Sequence, residues 1–373
     1  MSDSVPAKKA HYGFLDSYRA LLALAVVLSH TTSIWFAGKV PSHWTWLQVG
    51  HPAVCGFIVL SGFVLMIPVA RAGQLRGTYR EFMARRAKRI LPPYYFFVLL
   101  LIGFGAIQMV RHGSSNLTWE SAAVHLLLLR DLFPNIDGSA GGILWTVCLE
   151  WKLYFLFPLL AGVLLRRGIG AVMAAGLAIA AIWFGLVAAL IPPANYEHTA
   201  PWFAVLFVLG MVVCKLALSS TTGWKTLGPL LLVGAALLGA AYAAPGDLAP
   251  LILTDLGSGF LLAGFLFFTM QETVAQKARQ VTVAALNWRP LVFIGAYGYS
   301  IYLFHLYCLR LGMKVSRTVA EKANIKGDPA FVLTLVVCVV AVLVGCYLLF
   351  LVAERPWLAK KPKPAAVEAH AAP

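Results

Sequence analysis

Apolar residues in this chain come in unbroken runs long enough to cross a bilayer, separated by short polar connectors, and show little strand-like alternation. Windows of about 20 mostly apolar residues lie near 14–36, 50–70, 92–111, 143–165, 169–191, 200–218, 228–244, 250–270, 290–311 and 331–353. The pattern predicts an all-α, polytopic membrane protein with about ten transmembrane helices and both termini on one side. Between the third and fourth runs, Thr118 to Asp131 is too short and too mixed to cross, and reads as an interfacial or re-entrant helix. No internal repeat is visible, which disfavours transporter folds built from inverted repeats.

Composition strengthens this picture. Hydrophobic residues make up 60% of the 373 positions and charged residues only 12%, with a mean hydropathy of +0.79; about a quarter of a soluble domain is charged. In a soluble chain the net charge of +15 could suggest nucleic acid, but here most basic residues lie in connectors, where the positive-inside rule accounts for them. Nucleic-acid binding is set aside. The same rule predicts cytoplasmic termini: a tail over 1–13, a membrane domain over 14–357 and a second tail, expected to be disordered, over 358–373. The first run is too long, and lacks a small-residue cleavage site, to be a removable signal. One loop departs from the rule, because Arg310, Lys314, Arg317, Lys322 and Lys326 follow the ninth span on the outer side. The six cysteines sit in or against apolar runs without CxxC pairs or zinc-site spacing, so no metal is expected.

Polar residues inside the runs supply the candidate chemistry, because such residues are costly in a bilayer. Arg19 and His30 share the first run; eleven helical residues put them about 20° apart on one face and about 16 Å apart along the axis. Glu150 lies in the fourth run, with Lys152 two residues on, and Ser300, Tyr302 and His305 cluster in the ninth. Counted from the outer ends of their spans, His30, Glu150 and His305 fall at one depth, as expected of a polar chamber. Taken singly, each histidine could bond a backbone carbonyl, and Glu150 could pair with Lys152. The second connector reads as a basic amphipathic helix. Thr78 and Glu81 form a capping box, Pro92 is expected to stop the helix, and Arg85, Arg86, Lys88 and Arg89 put four cations within five residues. These cations serve either as topological and lipid-headgroup anchors or as a clamp for a phosphate-bearing donor. A reaction chamber and a proton-coupled transport path both fit these features.

Several motifs, in order, break that tie: LDxxR plus ten residues and His (Asp16, Arg19, His30), FIVLSGF (Phe57 to Phe63), RRxxRIxPxY (Arg85 to Tyr94), WTVxxE (Trp145 to Glu150), YSIYLFH (Tyr299 to His305) and ERP (Glu354 to Pro356). From Leu15 to about Trp357 the chain resembles the acyltransferase-3 family of bacterial membrane O-acyltransferases. The resemblance implies a multi-pass protein of the bacterial inner membrane. It would transfer an acyl group, by family default acetyl, from cytoplasmic acyl-CoA to a hydroxyl of an envelope saccharide, with no permanently bound cofactor. Acylation of a small secreted metabolite is the alternative acceptor, and a proton-coupled transporter the competing class. By the same resemblance His30 is the catalytic histidine with Arg19 its partner, Glu150 the site carboxylate, and Arg85, Arg86 and Arg89 the donor-phosphate contacts. Ser61, Ser300, Tyr302 and His305 would line the passage. Cys55 stands where many members have aspartate, Cys148 where they often have serine, and Ser17-Tyr18 where Gly-Leu is usual. Only 358–373 follows the last span, so transfer is expected to finish within the membrane domain or on a separate protein.

Overall fold

The computed structural model describes residues 12–113, 117–133, 136, 140–190, 196–219, 223–274 and 281–358; the expected tails fall almost wholly outside the described residues. Among the described residues thirteen α-helices follow in order: α1 (Gly13–Trp35), α2 (Gly50–Ala72), α3 (Tyr79–His112), α4 (Trp119–Leu126), α5 (Trp145–Leu190), α6 (Tyr196–Thr199), α7 (Phe203–Leu218), α8 (Gly223–Ala243), α9 (Leu248–Val274), α10 (Val281–Leu286), α11 (Arg289–Ala296), α12 (Gly298–Lys322) and α13 (Asp328–Ala353). Short 3-10 turns occupy Ser42–Leu47, Ala140–Leu144 and Arg355–Trp357. No strand occurs among the described residues. By length and apolar content seven segments among the described residues could cross a membrane, and the bent pair α11–α12 makes an eighth. Each of the ten runs read from the sequence falls on a helix or half-helix, because α5 carries two of them. Gly168, at φ 85° and ψ −171°, breaks α5 with a backbone conformation that costs glycine little.

The packing is that of a membrane bundle. α7 is buried over almost its whole length, between α2, α5 and α9. On α13, Val332, Val336, Val340, Val344, Leu348 and Val352 are all exposed at four-residue spacing, an apolar stripe that suits lipid and not water.

Two elements differ from the sequence reading. The capping box forms as expected, with the Glu81 amide donating to Thr78 Oγ1 (3.3 Å) and the Thr78 amide to Glu81 Oε2 (3.1 Å). The helix does not stop at Pro92, however; α3 runs through Pro92 and Pro93 to His112. Proline is tolerated inside spanning helices that pack against neighbours, and α3 packs here against α5, α12 and α13, with Tyr299 donating to the nearby Ile90 carbonyl (3.1 Å). The basic segment is therefore the first part of the third span and is held rigidly by it. The ninth span, in contrast, is broken: α11 and α12 meet at 77°, and α12 continues to Lys322. Arg310, Lys314, Arg317 and Lys322 thus lie on a helix and not in a loop, and the Arg317 guanidinium sits 5.7 Å over the Trp35 ring. The short helix expected between the third and fourth runs is present as α4, eight residues long and begun by Thr118, whose Oγ1 accepts from the Ser121 amide (3.2 Å).

The α11–α12 corner wraps α1 at the level of Asp16 and Arg19. Gly295 approaches so closely that a Cβ there would lie 1.7 Å from the Asp16 carbonyl oxygen. Gly295→Ala is expected to destabilise the bundle by about 1–3 kcal/mol, the usual range for overpacking. Gly239→Ala, with nothing within 4 Å of the added Cβ, should leave the melting temperature of the purified protein unchanged or raised. Equal melting temperatures for the two variants would contradict this packing.

Candidate functional site

One end of the bundle gathers the basic candidates. A cavity of about 130 Å³ lies between α1, α2, α3, α5, α11, α12 and Glu354, and Arg19, Arg86, Arg89, Ser61, Glu150 and Tyr302 are among its lining residues. Arg19 rises from the first turns of α1, where Asp16, three residues earlier, accepts its Nη1–H. Arg86 and Arg89 project from α3 one helical turn apart, so one face carries both. The Arg86 guanidinium lies 5.9 Å over the Phe82 ring, and its buried Nε has no hydrogen-bond partner among the described residues. Arg85 points elsewhere: it is exposed and donates to the Arg76 carbonyl (3.2 Å). Of the three arginines expected to act together, only Arg86 and Arg89 reach the cavity.

Glu150 sits across the cavity on α5. Ser61 Oγ donates to Glu150 Oε1 (2.5 Å), and the Tyr154 hydroxyl, 3.0 Å from Ser61 Oγ, donates to the same oxygen. Two donors on one oxygen suit the ionised carboxylate. Lys152 is not its partner, because the two residues leave the helix in different directions. Lys152 Nζ pairs with the buried Asp131 (2.5 Å) and also reaches the Leu128 carbonyl (3.3 Å). Burial pushes the Asp131 carboxyl up, and the Lys152 ammonium opposes that shift.

The two histidines form a separate layer. His30 and His305 pack ring on ring, 5.3 Å between centroids at 30°, and His30 does not line the cavity. The His305 Nδ1 faces two carbonyls of its own helix, Tyr302 O (2.8 Å) and Ile301 O (3.1 Å). That fixes the tautomer with the proton on Nδ1 and leaves the buried Nε2 as a bare acceptor, without a partner among the described residues. No hydrogen bond reaches the His30 ring among the described residues, and the Glu150 carboxylate is bonded to Ser61 and Tyr154 instead. Glu150 belongs with the arginines, one turn nearer to them than Thr146, whose Oγ1 meets the Tyr302 hydroxyl. Tyr302 also donates to the Ile143 carbonyl and, 6.3 Å from His305 between ring centroids, stands between cavity and histidines. Ser300 does not line the passage: it is fully buried and donates to Glu354 Oε2 (2.6 Å).

Sequence reading missed Tyr154 and Asp131. Tyr154 follows Glu150 by one turn, a spacing that could have flagged it, whereas nothing local marks Asp131 as the partner of Lys152.

Comparison with known proteins points one way. A family model described as an acyltransferase domain, the acyltransferase-3 model, matches residues 12–351. The O-acetyltransferase OatA of Staphylococcus aureus is 23% identical over 334 residues, which cover 78% of this chain and 49% of OatA. The exopolysaccharide production protein ExoZ of Rhizobium meliloti is 27% identical over 327 residues, covering 86% of this chain and 93% of ExoZ. The chain thus spans about half the length of OatA. No solved structure matches it.

Proposed function

Because the chain belongs to the acyltransferase-3 family, we propose that it is an O-acyltransferase of the bacterial inner membrane. It moves an acetyl group from cytoplasmic acetyl-CoA to a hydroxyl of an envelope or exported saccharide. OatA is by name an O-acetyltransferase and ExoZ an exopolysaccharide production protein, and those names support acetyl as the group and a saccharide as the acceptor. The observation that carries the reading is the cavity in which Arg19, Arg86 and Arg89 converge, with the Arg86 Nε–H unused. Guanidinium groups match phosphate oxygens in bidentate geometry, and a nucleotide-bearing thioester presents such oxygens to whichever end it docks. On this reading the arginine end and both termini face the cytoplasm.

In the reaction the acceptor oxygen attacks the thioester carbon. The new C–O ester bond forms as the C–S bond breaks, and the hydroxyl proton passes through a base to the departing thiolate. His30 is the base, and its ring packs against that of His305, 5.3 Å between centroids.

Purified protein in proteoliposomes, supplied with labelled acetyl-CoA and a saccharide acceptor, is expected to transfer label to an alkali-labile ester with release of one CoA thiol per ester. Solute flux without consumption of acetyl-CoA would instead make the chain a transporter and end this reading.

A further inference from the structure

Three side chains that acyl transfer leaves unused meet toward the end of the bundle remote from the arginines. His51 and Cys55 stand four residues apart on α2, hence on one face, and Asp255 meets them from α9. A ring nitrogen of His51, the Cys55 Sγ and a carboxylate oxygen of Asp255 all lie within 4.8 Å of one another. His51 Nε2 is 2.9 Å from Asp255 Oδ1 and 3.0 Å from Oδ2. Ten residues, about 15 Å of helix, separate His51 from Ser61 in the arginine cavity, and neither His51, Cys55 nor Asp255 lines that cavity.

The surroundings are those of ligand atoms held for an ion. Trp202 Nε1 donates to Asp255 Oδ2 (2.8 Å), while the buried Oδ1 receives no aligned hydrogen bond. Glu197 Oε1 lies 3.8 Å from the other ring nitrogen of His51. A carboxylate behind the far nitrogen of a histidine, and a donor on the far oxygen of a ligating carboxylate, are the outer contacts by which proteins orient metal ligands. Cys55 and Asp255 are wholly buried, whereas the His51 side chain is 23% and the Glu197 side chain 59% exposed, so solvent reaches the cluster from one side. A neutral imidazole, a thiolate and a carboxylate around a divalent cation sum to no net charge. That suits a site whose buried carboxylate lies in an apolar helix.

We propose that His51, Cys55 and Asp255 bind one divalent transition-metal ion of the zinc type, with the fourth position open beside Glu197. The mixed nitrogen, sulfur and oxygen donor set selects zinc over magnesium or calcium, and three protein ligands with an open position is the arrangement of zinc sites that act on a bound molecule. Spacing along the chain conceals the site, because His51 and Asp255 are 204 residues apart.

Full-length protein purified in detergent without chelator is expected to carry about one zinc per chain by elemental mass spectrometry. Exchanged with Co²⁺ alone, it should show a near-ultraviolet thiolate-to-cobalt charge-transfer band. His51→Ala and Asp255→Asn should lose the zinc, and Trp202→Phe should weaken Zn²⁺ binding about 10- to 100-fold. Cys55→Asp, which keeps a ligand, should retain the metal but lose the band, a readout that a folding defect does not reproduce. Wild-type protein that holds no zinc and takes none up from added Zn²⁺ overturns the proposal. So do His51→Ala and Asp255→Asn variants that keep wild-type zinc content. Either result leaves His51 and Asp255 as a hydrogen-bonded pair.

Discussion

Replacing His30 with alanine is expected to lower acyl transfer by about 10²–10⁴-fold, the range over which a positioned general base contributes, while acetyl-CoA binds as before. The two effects separate because His30 lies outside the arginine cavity. The fold should survive the change: among the described residues the half-buried ring makes no hydrogen bond, and its aromatic contact is with His305. Label transfer from acetyl-CoA measures the first quantity and calorimetry the second. Transfer at the wild-type rate by inserted His30→Ala protein would place the base elsewhere. His305→Phe keeps a ring against His30 but removes the Nε2 acceptor, and should cause a smaller loss of rate with donor binding again unchanged.

The pairing of those histidines shows what the sequence could and could not display. Helical runs are legible because a bilayer imposes length and apolarity on each span by itself, and the capping box at Thr78 is legible because both its partners lie within one turn. Arg19 and His30 could be placed on one face of α1 from spacing alone. The depth of Glu150 could not be settled by counting residues from a span end. Its position depends on Ser61 and Tyr154, and Ser61 arrives on α2, 89 residues away. Ser300 matches a family motif, yet its hydroxyl is taken by Glu354, a contact that exists only once the chain end has folded under α12. Pro92 misled for a different reason. The rule that proline ends a helix assumes a soluble helix without neighbours, whereas α3 packs against α5, α12 and α13.

That continuity of α3 makes the second large effect predictable. Since Arg86 and Arg89 ride on the rigid start of the third span, changing both to methionine should not disturb insertion, and should weaken acetyl-CoA binding by about 10²-fold or more. A hydrogen bond to a charged group contributes about 1.5–3 kcal/mol, and even one such bond lost per arginine reaches that factor, since about 1.4 kcal/mol is tenfold in affinity. Added salt should weaken wild-type binding more than binding by the double variant, because the lost contacts are ionic. Arg85→Met is the internal control: it removes one such charge from the same helix, but Arg85 points at the Arg76 carbonyl and away from the cavity. If the positive charges only set topology or attract lipid headgroups, all three arginines count alike and donor affinity does not change in any variant. If the cavity is the donor dock, the loss falls on Arg86 and Arg89 and spares Arg85.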